Sequence, residues 1–391
     1  MPVPPSRPST PLAPPRLQDD GKPAPFKPTG APLFADDGVR RERPRRVAVV
    51  LFNLGGPDRP EAVRPFLFNL FNDPAILRLP NPFRLLLAHL IAGRRAKVAA
   101  GIYAHMGGRS PILANTEAQA RALEEVLWDT GEVRCFIAMR YWHPMADETA
   151  LAVKDWDPDE VVLLPLYPQY STTTTASSLG VWHRAAAAAG LTVPARTICC
   201  WPTEPGFIRG NANLLRWALA AAVAHGKPRI LFSAHGLPER VVKAGDPYRW
   251  QCEQTVAAIL AELKMQDLDW VLCFQSRVGP LRWIGPSTEA EVERAGHDRV
   301  PLVIVPMTFV SEHSETVVEI GMEYRELAEK SGVPHFIAVP TVGTDTDFIQ
   351  GLANLVRAAC GLPPGPPPPV TSATGTRICP PGYRGCACRA G

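Results

Sequence analysis

Short apolar runs alternate along the chain with longer segments that have helical spacing. Continuous apolar runs of about four to eight residues are typical of strands buried on both faces. Eight such runs occur, at 47–52, 133–138, 161–166, 196–200, 230–233, 270–274, 302–305 and 336–339. Helical spacing is clearest at 116–127, 207–223, 250–263 and 315–327. This alternation predicts an α/β fold with parallel sheets covered by helices, and two doubly wound halves would account for eight strands.

Conspicuous polar side chains follow several of the predicted strands. His235 ends the fifth strand, Gln275 and Ser276 follow the sixth, and Glu312 and His313 follow the seventh. Ligands of open α/β sheets bind outside the carboxyl ends of the strands. The sequence therefore predicts that the functional site lies at these strand ends.

The two ends of the chain differ in composition from its middle. The 391 residues include 43 prolines, about twice the average share, and they concentrate at the two ends. Residues 1–44 combine proline with serine, lysine and aspartate, so they bury too little apolar surface to offset the entropy of ordering. We expect a disordered tail there, and a C-terminal extension at 363–391 that carries cysteines.

Residues 62–92 form an unusually apolar stretch, with Phe66, Phe68 and Phe71 leading into a second apolar run at 83–91. One interpretation is a helix packed into the core. The other is an exposed apolar lip around a large hydrophobic ligand, or a patch that rests on a membrane surface. No run of about 18 uninterrupted apolar residues occurs, so we expect no helix to span a membrane.

Charge and cysteine content narrow the class of protein. The formal charge of +3 is nearly neutral for this length, which argues against a nucleic-acid partner. Nine cysteines, an odd number in a large chain, together with first residues that lack the apolar stretch of a secretory signal, favour a reducing compartment. We expect a cytoplasmic protein, with contact to the inner membrane where residues 62–92 are exposed.

Seven segments in a fixed order resemble the ferrochelatase family. They are Asn53-Leu54-Gly55-Gly56-Pro57, Gly107-Gly108-Arg109-Ser110-Pro111-Ile112, 164–171, Phe232-Ser233-Ala234-His235-Gly236-Leu237-Pro238 with Gly245-Asp246-Pro247-Tyr248, 275–280, Trp283-Ile284-Gly285-Pro286-Ser287, and 309–316. Any single segment is weakly specific, whereas seven in order from about residue 46 to about 360 are highly specific.

The resemblance implies a chelatase-like fold of two Rossmann-like domains with a porphyrin cleft between them. On that basis we expect the first domain at 45–194 plus 344–362 and the second at 195–343, with the last helix, about 344–359, returning to the first domain. The implied activity is a lyase that inserts Fe²⁺ into protoporphyrin IX to form protohaem. Stretches 170–175 and 239–246 resemble the proteobacterial branch, which uses that porphyrin.

Two alternatives stay open at this point. One is a chelatase for coproporphyrin or another tetrapyrrole, which would need more cationic groups around the outer rim to meet additional carboxylates. The other is a haem-binding or cluster-binding sensor on a chelatase scaffold, because a fold does not determine function.

The resemblance assigns His235 as proton acceptor or iron ligand and places Glu315 opposite it, so that the pair would hold the iron. An imidazole with a pKa near 6.5 suits either role. Glu319 lies four residues after Glu315 on one helix face, with His313 and Glu312 close in sequence, and this group could pass protons or metal. The structural alternatives are a histidine that caps a turn, and acidic residues placed against a helix dipole.

The resemblance also gives a porphyrin pocket. The matching positions are Leu54, Arg140, Tyr141, Trp283 and Phe309. Aromatic and aliphatic faces would grip the macrocycle, and Arg140 would meet a propionate. The alternative for each residue is ordinary core packing.

Cys379, Cys386 and Cys388 stand close together in the C-terminal extension with the spacing C-x₆-C-x-C. Zinc is one possible ligand, although its common spacing is C-x₂₋₄-C. The pattern resembles bacterial ferrochelatases that bind a [2Fe–2S] cluster with these three cysteines and one more, and four thiolates suit such a cluster. We expect Cys360 as the fourth ligand because it is nearest in sequence, with Cys199 and Cys200 as alternatives.

Overall fold

The structure is a computed structural model that describes residues 43–277, 281–361 and 370–388. The predicted tail at 1–44 lies almost wholly outside the described residues, as does the proline-rich segment at 362–369.

All eight predicted strands are present. Their bounds are β1 Arg46–Asn53, β2 Glu132–Met139, β3 Glu160–Pro165, β4 Ala195–Cys200, β5 Arg229–His235, β6 Asp269–Gln275, β7 Leu302–Val305 and β8 Phe336–Ala338. A ninth strand, β9 Val370–Ser372, lies in the C-terminal extension and was not predicted. Three residues give too short a pattern to be recognised in the sequence.

The helices between the strands have the following bounds. They are α1 Val63–Phe71, α2 Phe83–Ala104, α3 Ile112–Val126, α4 Ala146–Trp156, α5 Thr175–Ala189, α6 Pro205–Ala222, α7 Glu239–Lys243, α8 Tyr248–Leu263, α9 Thr288–His297, a π-helix Glu315–Glu323, α10 Tyr324–Ser331 and α11 Thr346–Cys360. The helix predicted at 315–327 is therefore present, but its first nine residues are a π-helix.

Two parallel sheets share one strand order. In the described part of the chain, the strand order is β2-β1-β3-β4-β9 in the first sheet and β6-β5-β7-β8 in the second. In each sheet the strand that comes first in the sequence, β1 or β5, lies between the next two strands of the sequence. In this arrangement the connections on the two sides of the first strand go to opposite faces, which leaves a crevice at the carboxyl ends. The crevice lies between β1 and β3 in the first sheet and between β5 and β7 in the second.

The boundary between the two sheets differs from the predicted one. The expected second domain began at residue 195, but β4 pairs with β3 through Val161–Ala195 and Val162–Arg196 and so belongs to the first sheet. The sheets therefore divide after Cys200. The apolar pattern of β4 fits either sheet, and only its pairing distinguishes them.

Burial on both faces explains the continuous apolar runs. In β1, Val47, Val49 and Leu51 face the larger core cluster, whereas Val50 and Phe52 face a second cluster that includes Trp182. Both sets are almost fully buried. A strand between two helical layers has no solvent face, so it needs no polar alternation.

Helix α11 contacts elements of the first half as well as α6. It packs against α3, β3, β4 and α6. Arg357 near its end donates to the Val126 carbonyl at 2.8 Å and to Asp129 at 2.7 Å. In the described part of the chain, none of the helices combines the length and the apolar character that crossing a membrane requires.

Candidate functional site at the strand ends

His235 is the last residue of β5 and pairs in register with Gln275, the last residue of β6. The chain turns sharply behind it, and the Gly236 N–H donates to the Gln275 carbonyl at 2.9 Å. A Cβ atom at Gly236 would lie 2.8 Å from that carbonyl oxygen and 3.3 Å from the Trp283 ring. Only glycine fits this turn, which fixes the imidazole at the strand end.

Glu315 meets His235 from the segment that follows β7. Its Oε2 lies 3.0 Å from His235 Nδ1 and 3.7 Å from His313 Nε2. The three predicted residues therefore come together at the crevice of the second sheet. They stand at the start of a π-helix, in which the Tyr324 N–H donates to the Glu319 carbonyl five residues back. Such helices are rare and frequent at functional sites.

The contact sets the charge states of the pair. Burial acts to lower the pKa of His235, but the charge and hydrogen bond of Glu315 outweigh it, and the pKa is raised. Burial acts to raise the pKa of Glu315, but the charge and hydrogen bond of His235 prevail, and the pKa lies well below its usual range. An ionised Glu315 accepts from Nδ1–H, so we assign the neutral His235 tautomer with Nε2 as the basic nitrogen.

Glu319 lies behind this pair in a shell of donors. It accepts from the Ser276 N–H at 2.9 Å, the Ser276 hydroxyl at 2.6 Å and the Tyr324 hydroxyl at 2.8 Å. Gln275 Nε2 adds a further bond at 3.1 Å. Burial, followed by repulsion from Glu315, raises the pKa of Glu319. Ser276 has a positive φ of 61°, a strained conformation of the kind that clusters at functional sites.

Glu312 is separate from this carboxylate group. Its carboxylate accepts from the Thr341 N–H at 2.7 Å and from the Thr316 hydroxyl. Although Glu312 is close to Glu315 and Glu319 in sequence, these bonds direct its carboxylate to the loop after β8. Its role here is to hold the start of the π-helix.

Buried polar contacts join the two halves on either side of the site. Gln119 of α3 donates to the carbonyls of Val310 and Gly343 at 2.7 and 2.9 Å, next to the π-helix segment. On the other side, Asp246 accepts from the Thr172 N–H at 2.7 Å and the Ser171 hydroxyl at 3.0 Å. Directional bonds of this kind hold the halves at a fixed separation.

Two of the predicted pocket residues lie beside the histidines. Trp283 bridges to Pro238 just behind His235, and the Phe309 ring centroid lies 4.5 Å from that of His313. Leu54 follows β1 at the crevice of the first sheet and packs against the cluster under α1 and α2. Trp283 and Phe309 thus place two aromatic residues next to the histidines of the site.

Arg140 and Tyr141 instead bind a buried aspartate that the sequence did not reveal. Asp73 Oδ2 accepts from Arg140 Nη2 at 2.7 Å, from the Tyr141 hydroxyl at 2.8 Å and from Ser177 at 2.6 Å. The carboxylate is 2% exposed and the Arg140 side chain 14%. Asp73 belongs to the loop between α1 and α2, so these contacts anchor the apolar lip. Its only sequence signal is an acidic residue within an apolar stretch.

Five cysteines meet at a second place. Cys379, Cys386 and Cys388 form one buried cluster with Cys199 and Cys200 at the end of β4. The two β4 sulfur atoms lie 3.4 Å apart. Cys199 also forms a hydrogen bond between thiols with Cys388, and Cys379 forms one with Cys386. Over residues 43–277, 281–361 and 370–388, no three His, Cys, Asp or Glu side chains converge on a single metal-ion position.

Cys360 lies elsewhere. It packs in the main core at the end of α11, where burial, followed by the charge of Glu160, raises its pKa to about 12. Glu160 begins β3, whereas Cys200 ends the parallel strand β4. The pairing of Val161 with Ala195 places Glu160 six residues before the level of Cys200, which at about 3.3 Å per residue is a separation of roughly 20 Å. The tail cysteines therefore pack against Cys199 and Cys200 and not against Cys360. Cys360 is nearer to them in sequence, but it lies at the opposite edge of the sheet.

Comparisons with known proteins show which family the chain is similar to. The family model for ferrochelatase matches residues 46–360. A ferrochelatase of Caulobacter vibrioides (strain NA1000 / CB15N) is 52% identical over 350 residues, 89% of this chain and 99% of the relative. A ferrochelatase of Phenylobacterium zucineum (strain HLK1) is 52% identical over 352 residues, with 88% and 99% covered. Among solved structures, SirB from Bacillus subtilis with Fe³⁺ aligns with a TM-score of 0.46 and 12% identity, over 81% of this chain and 96% of that one.

Two parallel sheets with a histidine–carboxylate contact at the strand ends define a chelatase-like α/β enzyme. The family match covers well over half of the chain, and the relatives match over nearly their whole length. The chain belongs to the ferrochelatase family. It is accordingly a lyase that inserts ferrous iron into a porphyrin.

The Asp73 anchor leads to a first prediction. Asp73→Asn removes the charge that balances the partly buried guanidinium of Arg140. We expect the free energy of unfolding to fall by about 3 kcal/mol, the lower end for breaking a buried ion pair, because Arg140 keeps some contact with solvent. Urea unfolding followed by circular dichroism measures the loss. Asp267→Asn, which breaks the exposed pair with Lys227, should leave stability close to that of the wild type, and equal losses in the two variants would contradict the anchor.

Proposed function

We propose that the chain inserts Fe²⁺ into protoporphyrin IX to form protohaem, with His235 as the proton acceptor. The observation that carries the proposal is the 3.0 Å contact between His235 Nδ1 and Glu315 Oε2 at the crevice of the second sheet. Before iron enters the ring, two pyrrole N–H protons must leave. A neutral imidazole whose Nδ1–H donates to Glu315 has a free lone pair on Nε2, and this nitrogen can act as the base in this step.

Each neighbour of His235 has a definite part in this scheme. Glu315 holds the Nδ1–H tautomer and stabilises the imidazolium that forms when Nε2 takes a proton. His313 lies against Glu315 from the other side, and Glu319, with a raised pKa, is the next group able to carry a proton away. Nδ1–H faces Glu315 and Nε2 takes the proton, so the Fe²⁺ substrate is held by the carboxylate of Glu315, an oxygen donor that binds it only moderately and gives it up readily to the porphyrin.

Protoporphyrin is the substrate we favour over coproporphyrin. The choice rests on the resemblance of stretches 170–175 and 239–246 to the proteobacterial branch. The engagement of Arg140 by Asp73 supports it, because a cation already balanced by a buried carboxylate offers little to the additional carboxylates of coproporphyrin. We therefore also revise the role of Arg140, from a propionate contact to an anchor of the lip that borders the pocket.

The substrate proposal is tested with the purified protein. Initial rates are compared for protoporphyrin IX and coproporphyrin III, each with Fe²⁺, Co²⁺ and Zn²⁺ under anaerobic conditions. We expect the highest kcat/KM for protoporphyrin with Fe²⁺. Faster turnover of coproporphyrin would overturn the choice of substrate and leave the family assignment unaffected.

His235 is tested by substitution and by pH. His235→Ala should lower kcat by about 10²- to 10⁴-fold, the usual contribution of a positioned general base, while porphyrin binding measured by fluorescence quenching persists. A protonated His235 cannot accept a proton, so kcat/KM should fall on the acid side with an apparent pKa above the ordinary histidine value of about 6.5. Glu315→Gln removes the charge that raises the pKa of His235, so it should move this acid limb to lower pH.

His297→Ala is the matched control, because that histidine is exposed on α9 and should retain full activity. Wild-type activity in His235→Ala, or an acid limb that stays in place in Glu315→Gln, would refute the assignment.

We further propose that the cysteine site holds a [2Fe–2S] cluster. Such a cluster takes two thiolates on each iron, and the contacts Cys199–Cys388 and Cys379–Cys386 supply two pairs of buried sulfur atoms. Soft thiolates suit iron–sulfur chemistry and leave no role for oxygen ligands. We therefore propose Cys199 as the fourth ligand, with Cys200 beside it as the alternative, in place of Cys360. When bound, the cluster supplies a one-electron couple and a cross-link between β4 and the tail.

The cluster is tested by visible absorption, by EPR after reduction, and by iron and sulfide analysis of anaerobically purified protein. We expect Cys386→Ser to lose these signals because it removes one of the four thiolates. Cys360→Ser should retain them because that thiol lies across the sheet. Colourless protein with stoichiometric zinc, or loss of the signals in Cys360→Ser, would reject this assignment.

We propose that the lip, residues 62–92 with the rest of α2, rests on an anionic membrane surface. Phe83, Leu86 and Leu90 lie on one face of α2, where Phe83 and Leu86 are 65% and 66% exposed. Arg94 and Lys97 extend the exposed surface of the same helix. Apolar side chains beside cations suit the interface of an anionic bilayer. Together with the odd cysteine count, this supports a cytoplasmic enzyme at the inner membrane.

Phe83→Glu combined with Leu86→Glu tests the lip. The variant should bind vesicles of phosphatidylglycerol at least about tenfold more weakly, because burying one such side chain contributes about 1.5–3 kcal/mol. Co-sedimentation at several salt concentrations measures the loss. Trp217→Glu, on the exposed face of α6, is the control and should bind as the wild type does. Unchanged binding by the double variant would exclude this surface.

A further inference from the structure

Gln251 is a fully buried amide that contacts the cysteine site from the second half. It lies in the first turn of α8, and its Nε2 is 3.1 Å from Cys379 Sγ and 3.4 Å from Cys200 Sγ. Cys379 belongs to the C-terminal tail, and Cys200 belongs to β4 of the first sheet. The tail joins the same sheet through the pairing of β9 with β4. One side chain of the second half therefore contacts both of the segments that build the cysteine site.

The orientation of this amide is fixed by its other end. Gln251 Oε1 accepts from the Tyr170 N–H at 2.7 Å, and a backbone N–H can only donate. The oxygen must therefore face Tyr170, and both N–H bonds are left for the two sulfur atoms. A buried amide has no solvent partner, so these sulfur contacts also satisfy groups that would otherwise be costly to bury.

We propose that Gln251 is a positioning residue of the cysteine site that raises the reduction potential of the cluster held there. The proposal rests on the cluster proposed above. An N–H bond to a ligand sulfur stabilises negative charge, and the reduced cluster carries one more negative charge than the oxidised one, so the bond favours reduction. Cys379 is a ligand whether Cys199 or Cys200 is the fourth, and the effect therefore does not depend on that choice.

The same contacts tie the tail to the body of the enzyme. Next to Gln251, the Gly385 N–H of the tail donates to the Gly245 carbonyl at 3.0 Å, and Asp246 binds Thr172 of the first half. The loop after β3, the start of α8 and the tail thus meet around one amide. Loss of that amide should loosen the tail and speed release of iron from the site.

Gln251→Glu and Gln251→Met separate these effects. The Glu variant keeps an oxygen for Tyr170 but replaces the N–H donors with negative charge, and the Met variant removes the donors without adding charge. In redox titrations followed by EPR, we expect a lower potential in both variants and the larger shift in Gln251→Glu. A tenfold fall in the equilibrium constant for reduction corresponds to 59 mV for a one-electron couple. Transfer of iron to a chelator, followed by loss of colour, should be faster in both.

Gln254→Met, half-buried on the same helix, is the matched control and should leave potential and iron release at wild-type values. If Gln251→Glu folds poorly, Gln251→Met carries the test alone. Folded Gln251 variants that lack iron and sulfide, beside a loaded control, also support the positioning role. Wild-type potentials and release rates in both variants would overturn it and leave the cluster intact, whereas wild-type protein without iron and sulfide would overturn the cluster and this role together.

Discussion

The site depends on the parallel alignment of β5 and β7. Because adjacent parallel strands end at the same edge, His235 and the segment that leads to Glu315 emerge side by side. The strand order places helices on opposite faces at this point, so the crevice between them stays open. Gly236 lets the chain turn away without displacing the imidazole, and the π-helix brings Glu315 to within 3.0 Å. A histidine held in this way has a defined tautomer and a raised pKa, and its value as a base follows from both.

Two buried glutamines form hydrogen bonds between the two halves of the molecule. Gln119 reaches from the first half to the carbonyls beside the π-helix, and Gln251 reaches from the second half to Tyr170 and the cysteines. Each amide lies in one half and uses both its donors and its acceptor on the other half, because Ser311 donates to Gln119 Oε1 and the Tyr170 N–H donates to Gln251 Oε1. Such bonds are directional and costly to break when buried, so they favour a single spacing.

Arg140 and Cys360 have partners other than the expected ones. Arg140 was expected to meet a propionate because of its position in the family motif, and Cys360 was expected to join the tail cysteines because it is near them in sequence. A guanidinium shielded from water needs a counter-charge, and Asp73 supplies it from a loop almost 70 residues earlier in the chain. Cys360 is near the tail cysteines in sequence but is separated from them by the length of a strand. In both cases the partner follows from which segments pack together.

The sequence by itself determined the elements and the place of the site. Short runs without polar alternation are typical of strands buried on both faces, and eight of them between helical segments predicted parallel sheets with polar groups at the strand ends. The strands, the helices and the parallel sheets depend on local pattern, and the structure confirmed them. The tertiary structure alone decided the sheet to which β4 belongs, the π-helix, the buried Asp73 and the meeting of the tail with Cys199 and Cys200. Each of these depends on contacts between distant segments, whose energies no local window of sequence contains.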